Sequence, residues 1–423
     1  MTRRQASHIA ATRPPVVASR RRAALVVPAI LLVLVSCAAD QTSVASTAPA
    51  TALPAPTTAA STTSIGAVTD DSSGFPSELF TNLEDEPVSV ELAAELQTVL
   101  DGWAGGSGFT ATVITPAGTW SGASGMAAED RAMAPDDQMS IASITKTLVA
   151  ALVMQLVEAG DLSLNDLAAD LLPPHVEFDT NGARVIDLLS MRSGIPEYFA
   201  DEDELREVLT KDRLHVWTTE EKLATVASDR GPVGRSWEYI DTNYLLLGLI
   251  IEQLTGGSVA EALRTGVLTD NGYERLIYQP DELPTEPMAM PLAASADTFG
   301  GGAGYLPSIA NATMFTSEGA MASDSASLAR WFRALCAGEV VSPASLDQMS
   351  DFGTRPGYGI GLVDRGLDYW QGSGAVGHPG RMLEGYRSVA LCFQNPVSVV
   401  VVLANAHYDV DPVAGLLVQA ATN

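Results

Sequence analysis

Only three lysines occur in the 423 residues, and one of them, Lys146, has a serine three positions before it. Lys211 follows Val208 and Lys222 follows Thr219 at the same distance. Residues three apart on a helix share a face. Apolar residues at Ile144, Leu148, Leu152 and Leu156 predict a helix from about Ser143 to Glu158, stopped by Gly160. A serine in the first turn of such a helix meets unpaired backbone N–H groups and the positive end of the dipole, which favour an oxyanion. Its hydroxyl is a poor nucleophile until a base takes the proton, and a lysine desolvated by Ile141, Ile144 and Leu148 can have its pKa lowered enough to do so. The chemistry expected is acyl transfer through an ester on Ser143. A helix-capping serine and a solvated lysine have the same spacing, so the pair alone leaves both readings open.

Other chemistries find less support. The five histidines, His8, His175, His215, His378 and His407, form no HExxH pattern, and no metal or cofactor is expected. There is no Gly-x-Ser-x-Gly elbow and no GxxxxGK[ST] phosphate loop. Net charge is −27, a field that repels nucleic acid and anionic headgroups.

The elements that must position these residues follow from patterning. Val90 to Trp103 has helical spacing, and Phe109 to Ile114 and Thr119 to Ser121 read as strands around the Pro116-Ala117-Gly118 turn. The stretch from Leu162 to Leu268 is expected to be mostly helical, with Tyr244 to Leu254 buried. A helix recurs at Ser325 to Ala337, strands at Gly357 to Val363, Tyr386 to Phe393 and Val397 to Leu403, and a last helix near Val410 to Ala421. Strands at both ends with helices between imply an α+β fold, an α/β sandwich. Its antiparallel sheet is built from the N- and C-terminal segments, flanked by helices, with an inserted mainly helical subdomain.

Residues 1–37 read as an export signal: Arg20, Arg21 and Arg22 precede an apolar run too short to span a bilayer comfortably. The run ends at Leu34, Val35, Ser36 and Cys37, an order that resembles the lipobox of bacterial lipoproteins, which implies lipidation of Cys37. Residues 38–72, rich in Ala, Thr, Ser and Pro, read as a disordered stalk, and the folded domain is expected over residues 73–423. The protein is therefore expected outside the cytoplasm, held to the outer face of the membrane by the lipid alone. Cys336 and Cys392 remain, as a disulfide or as two buried thiols.

Met139 to Leu148, MSIASITKTL, followed by LVEAGDLSLND from Leu156, resembles the signature of the serine β-lactamase-related family. That group holds class C β-lactamases, D-alanyl-D-alanine carboxypeptidases and related esterases. Trp237 to Gly248, WEYIDTNYLLLG, resembles its Tyr-x-Asn segment, and Gly377 to Gly380, GHPG, its His-x-Gly or Lys-Thr-Gly element. The resemblance covers about Val90 to Leu403. It implies Ser143 as the acylated nucleophile, Lys146 as its partner, and Tyr239 as a phenolate or relay moving protons. It places His378 and Gly380 on a strand edging the cleft, Gly380 leaving room for substrate backbone. The N–H of Arg381 would join that of Ser143 in an oxyanion hole.

Two positions depart from the family's pattern. Asp241 stands where it has Asn, so a donor to the substrate carbonyl is lost, and a carboxylate there would hold Lys146 protonated. Met191 and Arg192, in LLSMRSG, stand where relatives usually show His and Thr. The expected substrates are peptidoglycan-derived D-alanyl peptides, β-lactams or small esters. The competing reading, motivated by Asp241, is a noncatalytic envelope binding protein.

Overall fold

The computed structural model describes residues 74–422, apart from 84, 106, 270–271, 292–303, 354–356 and 367–369. The expected export segment, Cys37 and the stalk lie outside the described residues.

Helix α1 (Val90–Asp101) starts at Ser89, whose hydroxyl accepts the Leu92 N–H and so satisfies one of the helix's orphan donors. The hairpin of β1 (Phe109–Thr115) and β2 (Gly118–Ser124) follows. The chain then leaves the sheet through the short β3 (Met139–Ser140) and enters α2 (Thr145–Ala159), which ends as expected at Gly160 in the left-handed conformation. The inserted part contains α3 (Glu202–Lys211) and α4 (Thr242–Thr255). After β4 (Ile277–Tyr278), β5 (Met321–Ser323) and α5 (Ser325–Cys336), the chain returns through β6 (Val363–Asp364), β7 (Val376–Met382), β8 (Tyr386–Gln394) and β9 (Val397–Ala404) to α6 (Asp411–Thr422).

The six-stranded sheet has the order β2-β1-β9-β8-β7-β6, and every pairing in it is antiparallel. β9 therefore joins the N-terminal hairpin to the C-terminal strands, as the strand pattern implied. Alternate residues of β8 serve two cores. Val389, Leu391 and Phe393 pack with Leu96 and Leu100 of α1 and Leu417 of α6, whereas Ala390 and Cys392 pack with Phe332 of α5 and the α2 side. A disulfide joins Cys336 at the end of α5 to Cys392 on β8.

Two element expectations need correction. More of the stretch from 162 to 268 is loop than helix, because short capped helices punctuate it. Residues 357–362 are a loop and not a strand: Gly357 and Gly361 take φ of 83° and 66°, which breaks the extended run.

Candidate active site

Ser143 sits in a single 3-10 turn, Ala142–Ile144, that feeds α2. Ala142 has φ 49°, a left-handed conformation that a residue with a Cβ seldom takes, so surrounding bonds must hold it. Thr145 Oγ1 donates to the Ala142 carbonyl at 2.7 Å and accepts from Met321 N at 3.1 Å. Ser388 Oγ on β8 donates to the Ile141 carbonyl at 2.9 Å. A Cβ on Gly380 would fall 2.3 Å from that carbonyl oxygen and 2.2 Å from Ser388 Oγ. The bare Cα of Gly380 thus makes room for the protein's own serine turn, and not for substrate as expected.

Lys146 lies one turn on, and its side chain has no exposed surface. Ile141, Ile144 and Leu148 are buried around it as the sequence implied. Its Nζ donates to Ser143 Oγ at 3.1 Å and to the Glu318 carbonyl at 2.7 Å, and pairs with Asp241 Oδ1 at 2.7 Å. Ser143 Oγ and the Glu318 carbonyl thus take two of its N–H bonds, and the Asp241 carboxylate sets the opposite charge beside it. Burial by itself pushes the Lys146 pKa down, but the Asp241 carboxylate and the Tyr239 oxygen outweigh it and hold the amine above its ordinary value. The lowered pKa expected from desolvation is not what the site has; the adjacent carboxylate wins, as the Asp241 departure implied.

Tyr239 is 36% exposed, but its hydroxyl end is enclosed, within hydrogen-bonding reach of Ser143 and Lys146. The Lys146 ammonium lies 4.9 Å from its ring centre. Burial raises the phenol's pKa; Lys146 tempers the rise and Asp241 adds to it. The net direction is upward, which favours the relay over the phenolate of the two expected forms.

His378 on β7 is 1% exposed, and Nδ1 lies 2.6 Å from the Pro379 carbonyl, a contact that requires the proton on Nδ1. Its Nε2 is buried and has no hydrogen-bond partner among the described residues. Burial first and the Lys146 charge second push the imidazole down to about 3, against the Pro379 carbonyl, so the ring is neutral at ordinary pH. Tyr358 stands over both rings, its centroid 5.8 Å from that of Tyr239 and 5.9 Å from that of His378. It is held there by the loop before β6, where Thr147 Oγ1 of α2 donates to the Gly361 carbonyl at 2.7 Å.

Several residues here had no readable sign in the sequence. Glu197 accepts the backbone N–H of Asp241 and, at 3.1 Å, that of Thr242, which fixes the start of α4. Burial and the nearby Asp241 push Glu197 up to about 8, against the hydrogen bonds it accepts. Glu318, which supplies the carbonyl to Lys146, is itself buried, and its carboxylate accepts from Tyr198 Oη at 2.8 Å. Lys222 is buried against the Thr313 and Met314 carbonyls at 3.1 and 3.2 Å. Met191 and Arg192 stay out of the cleft: Met191 Sδ accepts weakly from Asn243 Nδ2 at 3.4 Å, and Asn243 also accepts from Ser193 Oγ. The Arg381 side chain, 55% exposed, pairs with Glu202 of α3 at 2.6 Å.

Ser143, Tyr239, Asp241, His378, Gly380 and Arg381 line one cleft of about 940 Å³, between β7 and the inserted part. A serine and a buried lysine one helical turn apart, under the edge of an antiparallel sheet, define an active-site-serine arrangement of the acyl-transfer type. The family model described as Beta-lactamase matches residues 97–422, and the chain belongs to that family. Penicillin-binding protein 4 of Amycolatopsis lactamdurans is 32% identical over 160 residues, 36% of this chain and 39% of that protein. Penicillin-binding protein 4* of Bacillus subtilis (strain 168) is 28% identical over 155 residues, 36% of this chain and 33% of that protein. The matches thus span well under half of these curated relatives. Among solved structures, a D-stereospecific amidohydrolase from Streptomyces sp. superposes with a TM-score of 0.64 at 25% identity, over 78% of this chain and 98% of the other. A penicillin-binding protein homologue from Pyrococcus abyssi does so with a TM-score of 0.61 at 24% identity, over 79% and 76%. The second likeness is one of fold.

Proposed function

We propose that this chain is a serine hydrolase that opens amide or ester bonds through an acyl-enzyme on Ser143, with D-amino-acid peptides or amides as its substrate class. The observation that carries the reading is the 3.1 Å contact of Ser143 Oγ with the buried Lys146 at the floor of the cleft. The D-amino-acid preference draws support from the D-stereospecific amidohydrolase it resembles.

In this reading the resting site holds an ammonium, a carboxylate and a neutral phenol. Asp241 is 26% exposed, so a substrate seated over it removes its remaining water and favours the uncharged form of the Lys146–Asp241 pair. Lys146 then passes a proton to Asp241 and accepts the one on Ser143 Oγ as that oxygen bonds to the substrate carbonyl carbon. Tyr239, between Ser143 and Lys146, carries a proton to the leaving nitrogen or oxygen as that bond breaks. Water repeats the sequence to release the acid. The backbone N–H groups of Ser143 and Arg381 take the oxyanion, a donor of that kind contributing about 3 to 4 kcal/mol in acyl-transfer enzymes.

The binding-protein alternative keeps one observation in its favour, the Lys146–Asp241 ion pair, which disfavours base formation. The disulfide between Cys336 and Cys392 supports a place outside the cytoplasm, and we infer anchorage through a lipidated Cys37. A D-Ala-D-Ala peptide, a D-amino acid amide, nitrocefin and p-nitrophenyl esters, assayed side by side, test the function. We expect turnover of a D-configured amide or peptide that is lost in Ser143→Ala; equal turnover by that variant, or none by the folded wild type, refutes it.

A further inference from the structure

At the end of the cleft beyond the serine, two arginines stand side by side. Arg381 on β7 and Arg387 on β8 are direct partners in the antiparallel register, so both side chains leave the same face of the sheet. Both line the cleft that holds Ser143. Like charges placed opposite each other destabilise a sheet, so the pair has no structural reason on its own account.

Their surroundings are unequal. Eight arginines, Arg381 among them, have a carboxylate within 4.0 Å. Arg387, half-buried, has none among the described residues; its side chain donates only to the Tyr386 and Met382 carbonyls, at 3.0 and 3.4 Å. Burial, with Arg381 adding to it, pushes the guanidinium below its ordinary range, while Glu202 and Asp409 act the other way. Arg192 and Arg213 are also half-buried with no carboxylate within 4.0 Å among the described residues, but of the three only Arg387 lines the cleft, where a ligand can bring the missing charge and lower the cost of burial.

The direction of the substrate follows from the proposed function, on which this inference rests. Tyr239 delivers the leaving-group proton and lies beside His378, with ring centres 6.1 Å apart. The leaving group therefore belongs at the His378 end of β7. Arg381 lies three residues further along the strand, about 10 Å on, and that odd separation turns its side chain to the face opposite His378, while it still lines the same cleft. The acyl part runs that way.

We propose that Arg387, flanked by Arg381, is an anion subsite that receives a carboxylate carried on the acyl portion of the substrate. A guanidinium takes a carboxylate through two parallel N–H···O bonds, a geometry that an ammonium does not reproduce. The enzyme is then selective for acyl groups that end in a free acid and discriminates against the same group capped as an ester.

The p-nitrophenyl half-ester of adipic acid and its methyl-capped form share one leaving group and differ only in that charge. On the purified full chain we expect the free acid to show a kcat/KM about ten-fold or more above the capped form. In Arg387→Gln that ratio should fall to near one, and Arg387→Lys should restore part of it. A wild-type ratio near one, or a ratio unchanged in Arg387→Gln, overturns the subsite. If the wild type hydrolyses neither ester, its turnover of D-configured amides still decides the proposed function, and calorimetry with adipate decides the subsite. Adipate binding weakened at least about ten-fold in Arg387→Gln sustains it; equal or absent binding removes it. Should Arg387→Gln lose its thermal transition, the wild-type ratio and Arg387→Lys decide instead.

Discussion

At the residue scale the site turns on which group holds a proton. Asp241 keeps Lys146 charged against its burial, and that ion pair must be neutralised before Ser143 can be activated. Asp241→Asn removes the counter-ion, so burial is left to lower the amine, and it supplies a donor toward the substrate carbonyl. We expect kcat/KM for an amide substrate to rise by about ten-fold, which is 1.4 kcal/mol in the barrier. The acidic limb of its pH profile should also move to lower pH. Unchanged or slower amide turnover contradicts this. His378 gives a second prediction. Its folded pKa of about 3 lies below the ordinary 6.5, so between those values the unfolded chain binds a proton that the native chain does not. The stabilisation is fully present above 6.5 and is lost as pH falls toward 3. Urea melts at pH 7 and pH 4.5 should show a smaller loss for His378→Gln than for the wild type; equal losses would contradict the buried neutral ring.

At the scale of elements, the Ser143 turn is held from three directions, by α2, by the first residue of β5 and by the edge of β7 with Ser388 behind it. Gly380→Ala puts a methyl onto the Ile141 carbonyl and must part β7 from the turn. Turnover should drop at least about ten-fold, with a thermal transition that moves by only a few degrees, since the change sits at a sheet edge. An active Gly380→Ala enzyme would show that the close approach is dispensable. The sequence made the helix carrying Ser143 and Lys146 legible because both lie on one face of a strongly apolar run. Asp241 and His378 were legible only through motif order, as nothing in their immediate neighbours marks them. Glu197, Glu318, Ser388 and Tyr358 were not legible, because each acts through a partner distant in the chain. Ser388, for one, reaches Ile141 across 247 positions. Residues 357–362 misled for a local reason. Tyr358, Ile360 and Leu362 alternate as in a strand, but Gly361 turns the chain so that it packs on Lys146 and Thr147 of α2.

At the scale of the whole molecule, β9 brings the hairpin next to Ser143 in sequence into one sheet with the strands that carry His378 and Arg381. This closure was visible in the placement of strands at both ends of the domain. The loops of the inserted part were not, since short capped helices leave little periodicity. The same closure puts the serine turn, the phenol from the start of α4 and β7 on one cleft, the convergence that the proposed covalent ester requires. The direct measurement is the intact mass of the full chain after exposure to a slow acylating β-lactam or a fluorophosphonate, followed by peptide mapping. We predict a single stoichiometric adduct on Ser143, absent in Ser143→Ala and slowed in Lys146→Ala. A folded protein that forms no adduct, or one that carries it on another residue, would contradict the account.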